Sequence, residues 1–567
     1  MKYFNILILL AISSSVWAIT YYISPTGNDV KGIGTENSPW ASLSHASAHA
    51  TVSGDIIHVN SGSYTETKQI YLATGVSVEG AGSNAIIHSQ ITSKGSFLLM
   101  LHSGPENTKG NQHISNLTFD GASTTAYGGV SVFNRGNVSV NGCIFKNFLA
   151  TGVQFNNGGR VPVTRSVGNR FFNNTVTNCS MYSGIGYGGL RIGGQEGMLV
   201  HDNIMSQTGR SSGTNGYVIK YGGEGWNRGL KIYKNTIIKE AFDGSTYDFA
   251  IELTHEQGTE IYNNIIIGSL DVNFISKGKY AYGLYVHNNT FGPSVSRGRM
   301  ENGIILEFDV EATVIKNNYF KNLGTVVLFS TRAGYDLKDF TFANNICDNI
   351  GIAGSSAGQC ISFIAVDSPA TSSDGYYIYN NVIIARVASR VYWGISVPSG
   401  QGSINNIIRN NIIENFVAGA ITSNPGSRVN GLIITNNILY NNGNKNKPVY
   451  ANGTPDNYTF SGNLYVDPLF VSSADFHLKS SSPAIAAGIN VGLSTDYEGK
   501  KYRTPPSIGA FEYNPLPPRI EVNYRMMMNS TLLFNFLSES TKLGTSGLDP
   551  PYPLGISLML FTPFLIR

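Results

Sequence analysis

The residues that could do chemistry in this sequence are a few charged side chains that recur at similar places in successive segments. Charged residues make up only 13% of the chain, so a run of them at comparable positions stands out. Aligning the segments places Arg191, Lys220, Glu252 and Glu307 in turn at an outward strand position, and Gln154 extends the row upstream. Cations beside carboxylates are what acid–base catalysis and carboxylate binding require.

The rest of the row and its surroundings are more polar than charged. The segment between Glu252 and Glu307 offers Ser276 or Lys277 at the same position. The later segments offer mostly neutral residues, namely Ser330, Ser396 and Thr422, with Asp367 in the longest segment. The adjoining loops add the polar groups Glu224, Trp226, Arg228, His255, Glu256, Asp309, Glu311 and Arg332, and Tyr221, Trp226 and Tyr247 could stack on sugar rings.

Two reactions fit these residue types. The first is β-elimination from a uronate-containing polysaccharide, in which Arg191 would bind the substrate carboxylate and Lys220 or His255 would remove the neighbouring proton. Glu252, with Glu307 or Asp309, would then supply oxygen ligands for a Ca²⁺ ion. The residues expected to bind the polymer are Gln154, Trp226, Arg228 and Arg332. These residues would together supply the parts of a polysaccharide lyase.

The second reaction is glycoside hydrolysis, which needs two carboxyl groups. Glu252 and Glu307 are expected two coils apart, roughly 9 to 10 Å by coil spacing, near the upper limit of about 6.5–9.5 Å for an inverting pair. Two alternatives without catalysis also stay open. The charges could be solvated cross-strand pairs, or the chain could be a non-catalytic, adhesin-type protein that binds glycans.

A recurring asparagine phrase predicts the elements that position this row. An apolar residue, two variable residues and an Asn recur along the chain, in steps of 25 to 36 residues in the regular copies. The regular copies end at Asn203, Asn235, Asn264, Asn289, Asn318, Asn345, Asn381, Asn411 and Asn437. Between them lie alternating runs of four to six residues separated by Gly and Asn, which is typical of short strands and not of helices. The pattern predicts an all-β, single-stranded, right-handed parallel β-helix of about a dozen coils.

Asn suits the repeated corner of such a coil for two reasons. It tolerates the left-handed backbone region that a sharp bend requires. Stacked Asn side chains can also hydrogen-bond along the solenoid, as amide ladders do in cross-β stacks. We therefore expect the Asn phrase to mark one corner of every coil.

The remaining sequence divides around this repeat. Residues 1–18 are expected to be a secretory signal, because Lys2 precedes the apolar run 6–12 and Ala18 closes a small-residue cleavage site. Residues 19–113 are expected to form the N-terminal cap and first coils, 114–462 the β-helix repeats and 463–513 a closing segment. Residues 514–567 are expected to be an atypical, poorly ordered tail. Four cysteines without metal-ligand spacing predict buried thiols or one incidental bridge.

Both ends of the repeat resemble a known group. The motif at 21–29, with Pro39-Trp40-Ala41-Ser42-Leu43 and the strand 55–59, resembles the start of secreted bacterial pectate-lyase-like β-helix proteins. The segment from Asp475 to Tyr513 is similar to a closing segment common in such exported proteins. The resemblance implies a capped solenoid and raises the expectation of a lyase using Lys or Arg with Ca²⁺. It is poorly specific for the reaction, because the group also holds hydrolases, epimerases and adhesins.

Composition limits the partners. A net charge of +3 is too small for a general polyanion-binding protein, so we expect no nucleic-acid partner. The expected partner is a polysaccharide, bound by the outward row of polar and charged residues. No segment after the signal is long and apolar enough to predict a membrane span. We expect a monomer that is secreted or held at the cell surface, or located in the periplasm.

Overall fold

The structure is a computed structural model, and it describes residues 17–514 with short gaps. The gaps are 123–124, 158–163, 182–185, 209–215, 224, 240–248, 274–280, 293–301, 332–335, 352–358, 366–371, 387–392, 399–402, 424–431, 444–448 and 451–458. Three long parallel sheets run through the described part of the chain, and most coils contribute one strand to each of them in the order sheet 1, sheet 2, sheet 3.

The strands of each sheet follow one another in chain order from coil to coil. Sheet 1 contains Thr20–Ile23, Ile56–Val59, Ser77–Gly80, Thr108–Ser115, Arg135–Asn141, Arg170–Phe172, Leu199–His201, Lys231–Tyr233, Glu260–Tyr262, Ala281–Tyr282, Tyr285–His287, Val310–Glu311, Val314–Lys316, Asp336–Ala343, Ser372–Tyr379, Ile404–Arg409, Ile433–Thr435 and Thr459–Ser461. Sheet 2 contains Gly62–Glu66, Ala85–Ser89, Thr118–Asp120, Ile144–Lys146, Thr175–Thr177, Ile204–Gln207, Thr236–Lys239, Ile265–Ile267, Thr290–Phe291, Tyr319–Leu323, Ile346–Ile350, Val382–Ile384, Ile412–Glu414 and Ile438–Tyr440. Sheet 3 contains Ile70–Tyr71, Phe97–His102, Gly128–Phe133, Thr151–Asn156, Gly188–Ile192, Tyr217–Tyr221, Phe249–Thr254, Ser269–Asn273, Asn302–Glu307, Thr325–Thr331, Ile361–Ala365, Trp393–Val397, Gly419–Ser423 and Val449–Tyr450.

This stacking confirms the predicted right-handed parallel β-helix, the hand that parallel connections almost always take. The apolar residue that opens each Asn phrase points into the interior, and its equivalents pair in register from coil to coil. Val200, Ile232, Ile261, Val286 and Ile315 form such a row, and each is fully buried. The core is therefore a set of parallel apolar rows, and each coil is stabilised by burial against its neighbours.

The last Asn of each phrase forms a continuous buried ladder at the corner between sheets 1 and 2. In a typical step, the Asn318 Nδ2 donates to the Asn345 Oδ1 (3.1 Å), which also accepts from the Asn318 backbone N–H (2.9 Å). The same pattern runs from Asn174 to Asn463. The predicted amide ladder is confirmed.

The left-handed bend falls on the residue before the ladder Asn. This position has a positive φ in each of the ten coils from Asn173 to Asn436, and Lys234 occupies it in one of them. In the others it is Asp or Asn: Asn173, Asp202, Asn263, Asn288, Asn317, Asn344, Asn380, Asn410 and Asn436. The two roles predicted for Asn therefore belong to two adjacent residues, one bending the backbone and one bonding along the ladder.

The helix Leu43–His49 and the first strands form the N-terminal end of the described solenoid. Its first backbone N–H groups are satisfied by the Ser42 hydroxyl and by the Glu66 carboxylate, which accepts from the Leu43 N–H at 2.7 Å. Leu43 and Ala46 are fully buried in the core. A short helix thus packs against the first coil.

The segment after the last coil lies along the outside of sheet 2. Phe476, Ala484 and Ile508 pack with the outward side chains of Ile412 and Val382 in a second apolar cluster. Backbone groups of the segment bond to the corner residues before the ladder: the Asn436 Nδ2 donates to the Ala487 carbonyl, and Asn410, Asn380, Asn344 and Asn317 make similar contacts. The segment runs back across five coils, as a lateral strap. We call residues 464–513 the strap.

The four cysteines are all buried free thiols, in agreement with the first of the two predicted alternatives. Burial raises the pKa of the Cys143 and Cys179 thiols to about 12, so they are unreactive at neutral pH.

Candidate functional site

The predicted charged row lies on the outer face of sheet 3. Strand pairing puts Gln154 opposite Arg191, Arg191 opposite Lys220, and Lys220 opposite Glu252. The next residue in register is Asp271, which pairs with Glu252. Because adjacent strands lie about 4.8 Å apart, five consecutive coils present five polar or charged side chains in one line. We call these five residues the charged row.

Lys220 and Glu252 form an ion pair at the centre of the charged row. Only 3% of Lys220 and 8% of Glu252 is exposed. The Lys220 Nζ also lies 4.2 Å from the ring centroid of Tyr217 and 4.0 Å from that of Tyr221, and both rings favour an ammonium ion. Burial lowers the pKa of Lys220, and the charge of Arg191 adds to this, while Glu252 and Asp271 oppose it.

Asp271 is the buried carboxyl group that follows in the row. It is 1% exposed, and its Oδ1 has no hydrogen-bond partner among the described residues. Burial, together with the carboxylates of Glu307 and Glu252, raises the pKa of Asp271 well above its usual range, although Asn273 and Lys220 oppose the shift. Asp271 therefore keeps its proton to a higher pH than an ordinary aspartate does, whereas Glu252 is paired with a cation.

Asn273 bridges the two carboxyl groups. Its Nδ2 lies 3.4 Å from the Glu252 Oε1 and 3.3 Å from the Asp271 Oδ2. The two oxygens can therefore be no farther apart than the sum of these distances, about 6.7 Å. The Asn273 Oδ1 is buried and has no partner within the described part of the chain, so the amide is oriented by its donor side alone.

Arg191 and Gln154 form the more open end of the charged row. The Arg191 Nη1 donates to the Gln154 Oε1 at 3.5 Å, and the Gln154 Nε2 donates to Ser131 at 2.7 Å. Burial lowers the pKa of Arg191, and its Nε has no hydrogen-bond partner among the described residues. A partly buried guanidinium without a carboxylate partner in that part of the chain favours an anionic ligand.

Two sequence predictions about the row were wrong in register. Glu307 pairs with Asn273 and Ile305 pairs with Asp271, so Glu307 lies two coils and two residues from Glu252, about 12 Å by strand geometry. The position assigned to Ser276 or Lys277, which lie outside the described residues, is occupied by Asp271. In the coil that ends at Asn289, the sheet 3 strand Ser269–Asn273 follows the sheet 2 strand almost at once, and a long stretch separates it from the Asn phrase. Counting back from the Asn phrase therefore missed this strand.

His255 and Trp226 stack on each other, beyond the ends of their strands. Their ring centroids are 4.2 Å apart with an interplanar angle of 5°, and both residues have positive φ. His255 is 2% exposed. The structure thus places His255 directly after the strand that carries Glu252, stacked on Trp226 and outside the charged row. Its predicted role as a base stays a prediction.

The other predicted residues lie apart from the charged row. Arg228 is exposed, and its guanidinium lies 4.0 Å from the Glu196 carboxylate. Its backbone forms isolated parallel β-bridges with Glu196 in one neighbouring coil and Gln257 in the other. Asp309 is buried after the end of its sheet 3 strand, and Glu311 follows in a sheet 1 strand. Arg332, Glu224, Tyr247, Lys277 and Asp367 lie outside the described residues.

The predicted Ca²⁺ ligands do not fit a metal site. Glu252 is taken by Lys220, Glu307 lies one row over, and Asp309 lies beyond its strand. Within the described residues no group of three His, Cys, Asp or Glu side chains could hold a metal ion. We therefore derive no step through calcium.

Comparisons with known proteins find no match by sequence and only distant likenesses among solved structures. No family model matches the chain, and no curated protein matches it. Solved structures that resemble it include the tailspike protein of E. coli bacteriophage HK620 in complex with a pentasaccharide (14% identity, TM-score 0.46, 75% of this chain and 74% of that one). Another is the Dettilon tailspike protein (16% identity, TM-score 0.42, 72% of this chain and 68% of that one). A third is PfbA, a surface adhesin of Streptococcus pneumoniae (15% identity, TM-score 0.37, 70% of this chain and 85% of that one). At these levels the likenesses carry no argument about activity.

In the described part of the chain, no helix has both the length and the apolar character needed to cross a membrane.

Proposed function

We propose that this protein is an exported enzyme that hydrolyses an acidic polysaccharide, with Asp271 as general acid and Glu252 as nucleophile. The observation that carries the proposal is the asymmetry of this carboxyl pair. The two groups are neighbours in register and share Asn273, but only Glu252 is held by Lys220. Environments that separate the protonation of two neighbouring carboxyl groups define an acid and a carboxylate.

The reaction follows from that asymmetry. Asp271 would transfer its proton to the glycosidic oxygen as the bond to the anomeric carbon breaks, and a Glu252 oxygen would bond to that carbon. Asp271, now ionised, would take a proton from water, and the water oxygen would displace Glu252. The separation of at most about 6.7 Å between the bridged oxygens is closer to the retaining range of about 5–5.5 Å than to most inverting pairs. We therefore propose retention of configuration.

Arg191 supports an acidic substrate. Its guanidinium lies one coil from Lys220 and two from Glu252, about 10 Å along the solenoid, or about two sugar units of a polymer that follows the axis. Gln154 continues the polar surface in the same direction. A carboxylate on the polymer would supply the charge that Arg191 lacks within the described part of the chain.

One observation favours β-elimination as a second candidate. Burial and Arg191 lower the pKa of Lys220, which is the direction that a lysine base requires. The ion pair with Glu252 and the two tyrosine rings hold the ammonium form, so we rank this candidate below hydrolysis.

The experiment is incubation of the full chain with a panel of uronate polymers, with two readouts. We expect new reducing ends without ultraviolet absorbance from an unsaturated product. Glu252→Gln and Asp271→Asn should each reduce the rate at least about 100-fold, while Glu79→Gln, a carboxylate paired with His113 in the first coils, should not. Absorbance that depends on Lys220 would replace hydrolysis by elimination. Polymer binding without either product would leave a glycan-binding protein and refute both reactions.

A further inference from the structure

A pocket lies between the strap and the corner of the solenoid, away from sheet 3. Its volume is about 200 Å³, and Asn380, Ile489, Lys501, Tyr502, Arg503 and Pro506 are among its lining residues. At about 30 Å³ for each water molecule, this space corresponds to six or seven waters, on the order of one sugar ring.

The pocket walls are attached to the solenoid by hydrogen bonds. The Tyr502 hydroxyl donates to the Asn344 Oδ1 at 2.9 Å, and the Ile489 backbone N–H donates to the Asn410 Oδ1 at 3.0 Å. The Asn380 Nδ2 donates to the Gly509 carbonyl at 3.3 Å. Three consecutive coils therefore hold the walls in place, and a ligand would not have to order them.

The carboxylates of the strap near the pocket are already engaged. Asp496 accepts three backbone N–H groups at 2.8 to 3.0 Å. Glu512 accepts from the backbone and the hydroxyl of Ser507. Glu498 pairs with Lys500 at 2.7 Å. These three groups stabilise the strap itself.

Lys501 and Arg503 are left as two cations on the rim of one pocket. Neither forms an ion pair with any carboxylate in the described part of the chain, and the Arg503 guanidinium lies 5.8 Å from the Tyr513 ring. The lining of the same pocket also includes the apolar residues Ile489, Val491, Leu493 and Pro506. Two cations and an apolar lining in one pocket match a ligand that has both a carboxylate and a C–H face.

We propose that this pocket binds one carboxylate-bearing sugar residue. It is a second site, independent of the hydrolysis proposed above, because it lies on the corner between sheets 1 and 2 of the coils from Asn344 to Asn410. A polymer held there would be retained on the solenoid without reaching the charged row. The proposal therefore stands or falls separately from the catalytic one.

Calorimetric titration of the full chain with galacturonate, galactose and acetate tests the proposal. Galacturonate should bind at least tenfold more tightly than galactose, which lacks the carboxylate, and than acetate, which lacks the ring. Lys501→Gln with Arg503→Gln should weaken galacturonate binding at least tenfold. Lys479→Gln, an exposed strap lysine outside the pocket, should not change it.

Arg191→Gln separates this pocket from the charged row, since galacturonate binding should persist in that variant. The proposal is overturned if the wild-type chain does not bind galacturonate, or if the double variant binds it as well as the wild type. Equal binding of acetate would also overturn it, by showing an unselective anion site. Thermal unfolding of each variant shows whether it retains the wild-type fold.

Discussion

Replacing Glu256 by glutamine should stabilise the protein at alkaline pH and leave it nearly unchanged in acid. Glu256 is fully buried. Its Oε1 accepts from the Asn227 Nδ2 at 2.8 Å, and its Oε2 accepts from the Thr259 hydroxyl at 2.6 Å. Burial raises the pKa of Glu256 from the usual 4.5 to about 7, against the effect of both hydrogen bonds and of Arg165.

The proton bound by Glu256 makes the free energy of unfolding depend on pH. The folded state binds the proton more tightly than the unfolded state, so stability is highest below the unfolded pKa of 4.5 and falls until the pH exceeds about 7. At 1.36 kcal/mol for each pH unit, the total loss is about 3 kcal/mol. Glutamine avoids this loss because its Oε1 can still accept from Asn227 and its amide can donate to Thr259.

The assay is thermal unfolding of the full chain at about pH 4 and about pH 8.5. The unfolding entropy is about 2.1 cal/mol/K per residue. For a solenoid that spans residues 17–514, a stabilisation of about 3 kcal/mol therefore raises the unfolding midpoint by about 3 °C. Glu256→Gln should therefore raise the midpoint by about 3 °C at the higher pH only. Thr259→Val should act in the opposite direction, because it removes a hydrogen bond to the charged form. An equal effect of Glu256→Gln at both pH values would refute the reasoning.

Three further predictions concern the row, the ladder and the strap. Lys220→Met should cost about 3–5 kcal/mol in urea unfolding because it leaves a buried carboxylate unpaired, and adding Glu252→Gln should recover part of the loss; additive losses would contradict the pair. Asn345→Ala should cost about 2–4 kcal/mol, since it leaves buried donors and acceptors of two neighbouring coils unpaired; a loss below about 1 kcal/mol would show that the ladder contributes little. Ile412→Ala, under the strap, should cost about 2–5 kcal/mol, whereas Ile265→Ala, 48% exposed in the same outward row of sheet 2, should cost far less. Equal losses for the two isoleucines would mean that the strap does not cover this row.

The fold could be predicted because one local signal repeats with the same physical cause in every coil. The ladder Asn must satisfy the same buried backbone groups at each corner, so its position in the phrase does not drift. The stretch between the sheet 3 strand and the phrase has no such constraint. It spans different lengths in different coils, as the distances of Lys220 and Asp271 from Asn235 and Asn289 show. The residue of the charged row could therefore be found from the Asn phrase for most coils, but not for the coil that holds Asp271.

The strap shows a different limit of prediction. Its resemblance to a closing segment indicated where the repeat ends, but not which surface the segment covers. That surface is set by an outward row on sheet 2, which is apolar at Ile346, Val382, Ile412 and Ile438. Earlier coils alternate threonine and isoleucine at the same position, as at Thr236 and Ile265. Seeing this difference requires the register of sheet 2, which the Asn phrase alone does not provide.

Asp271 is the feature that separates a functional row from a set of cross-strand charge pairs. Pairing opposite charges would stabilise the fold slightly and would need only Lys220 and Glu252. A third carboxyl group, buried beside Glu252 and near Glu307, brings a cost of desolvation and repulsion that Lys220 offsets only in part. An asparagine there would keep the shape and remove that cost. If the row is only structural, Asp271→Asn should stabilise the protein without further effect; if Asp271 is the acid, the same change should stabilise the fold and abolish hydrolysis.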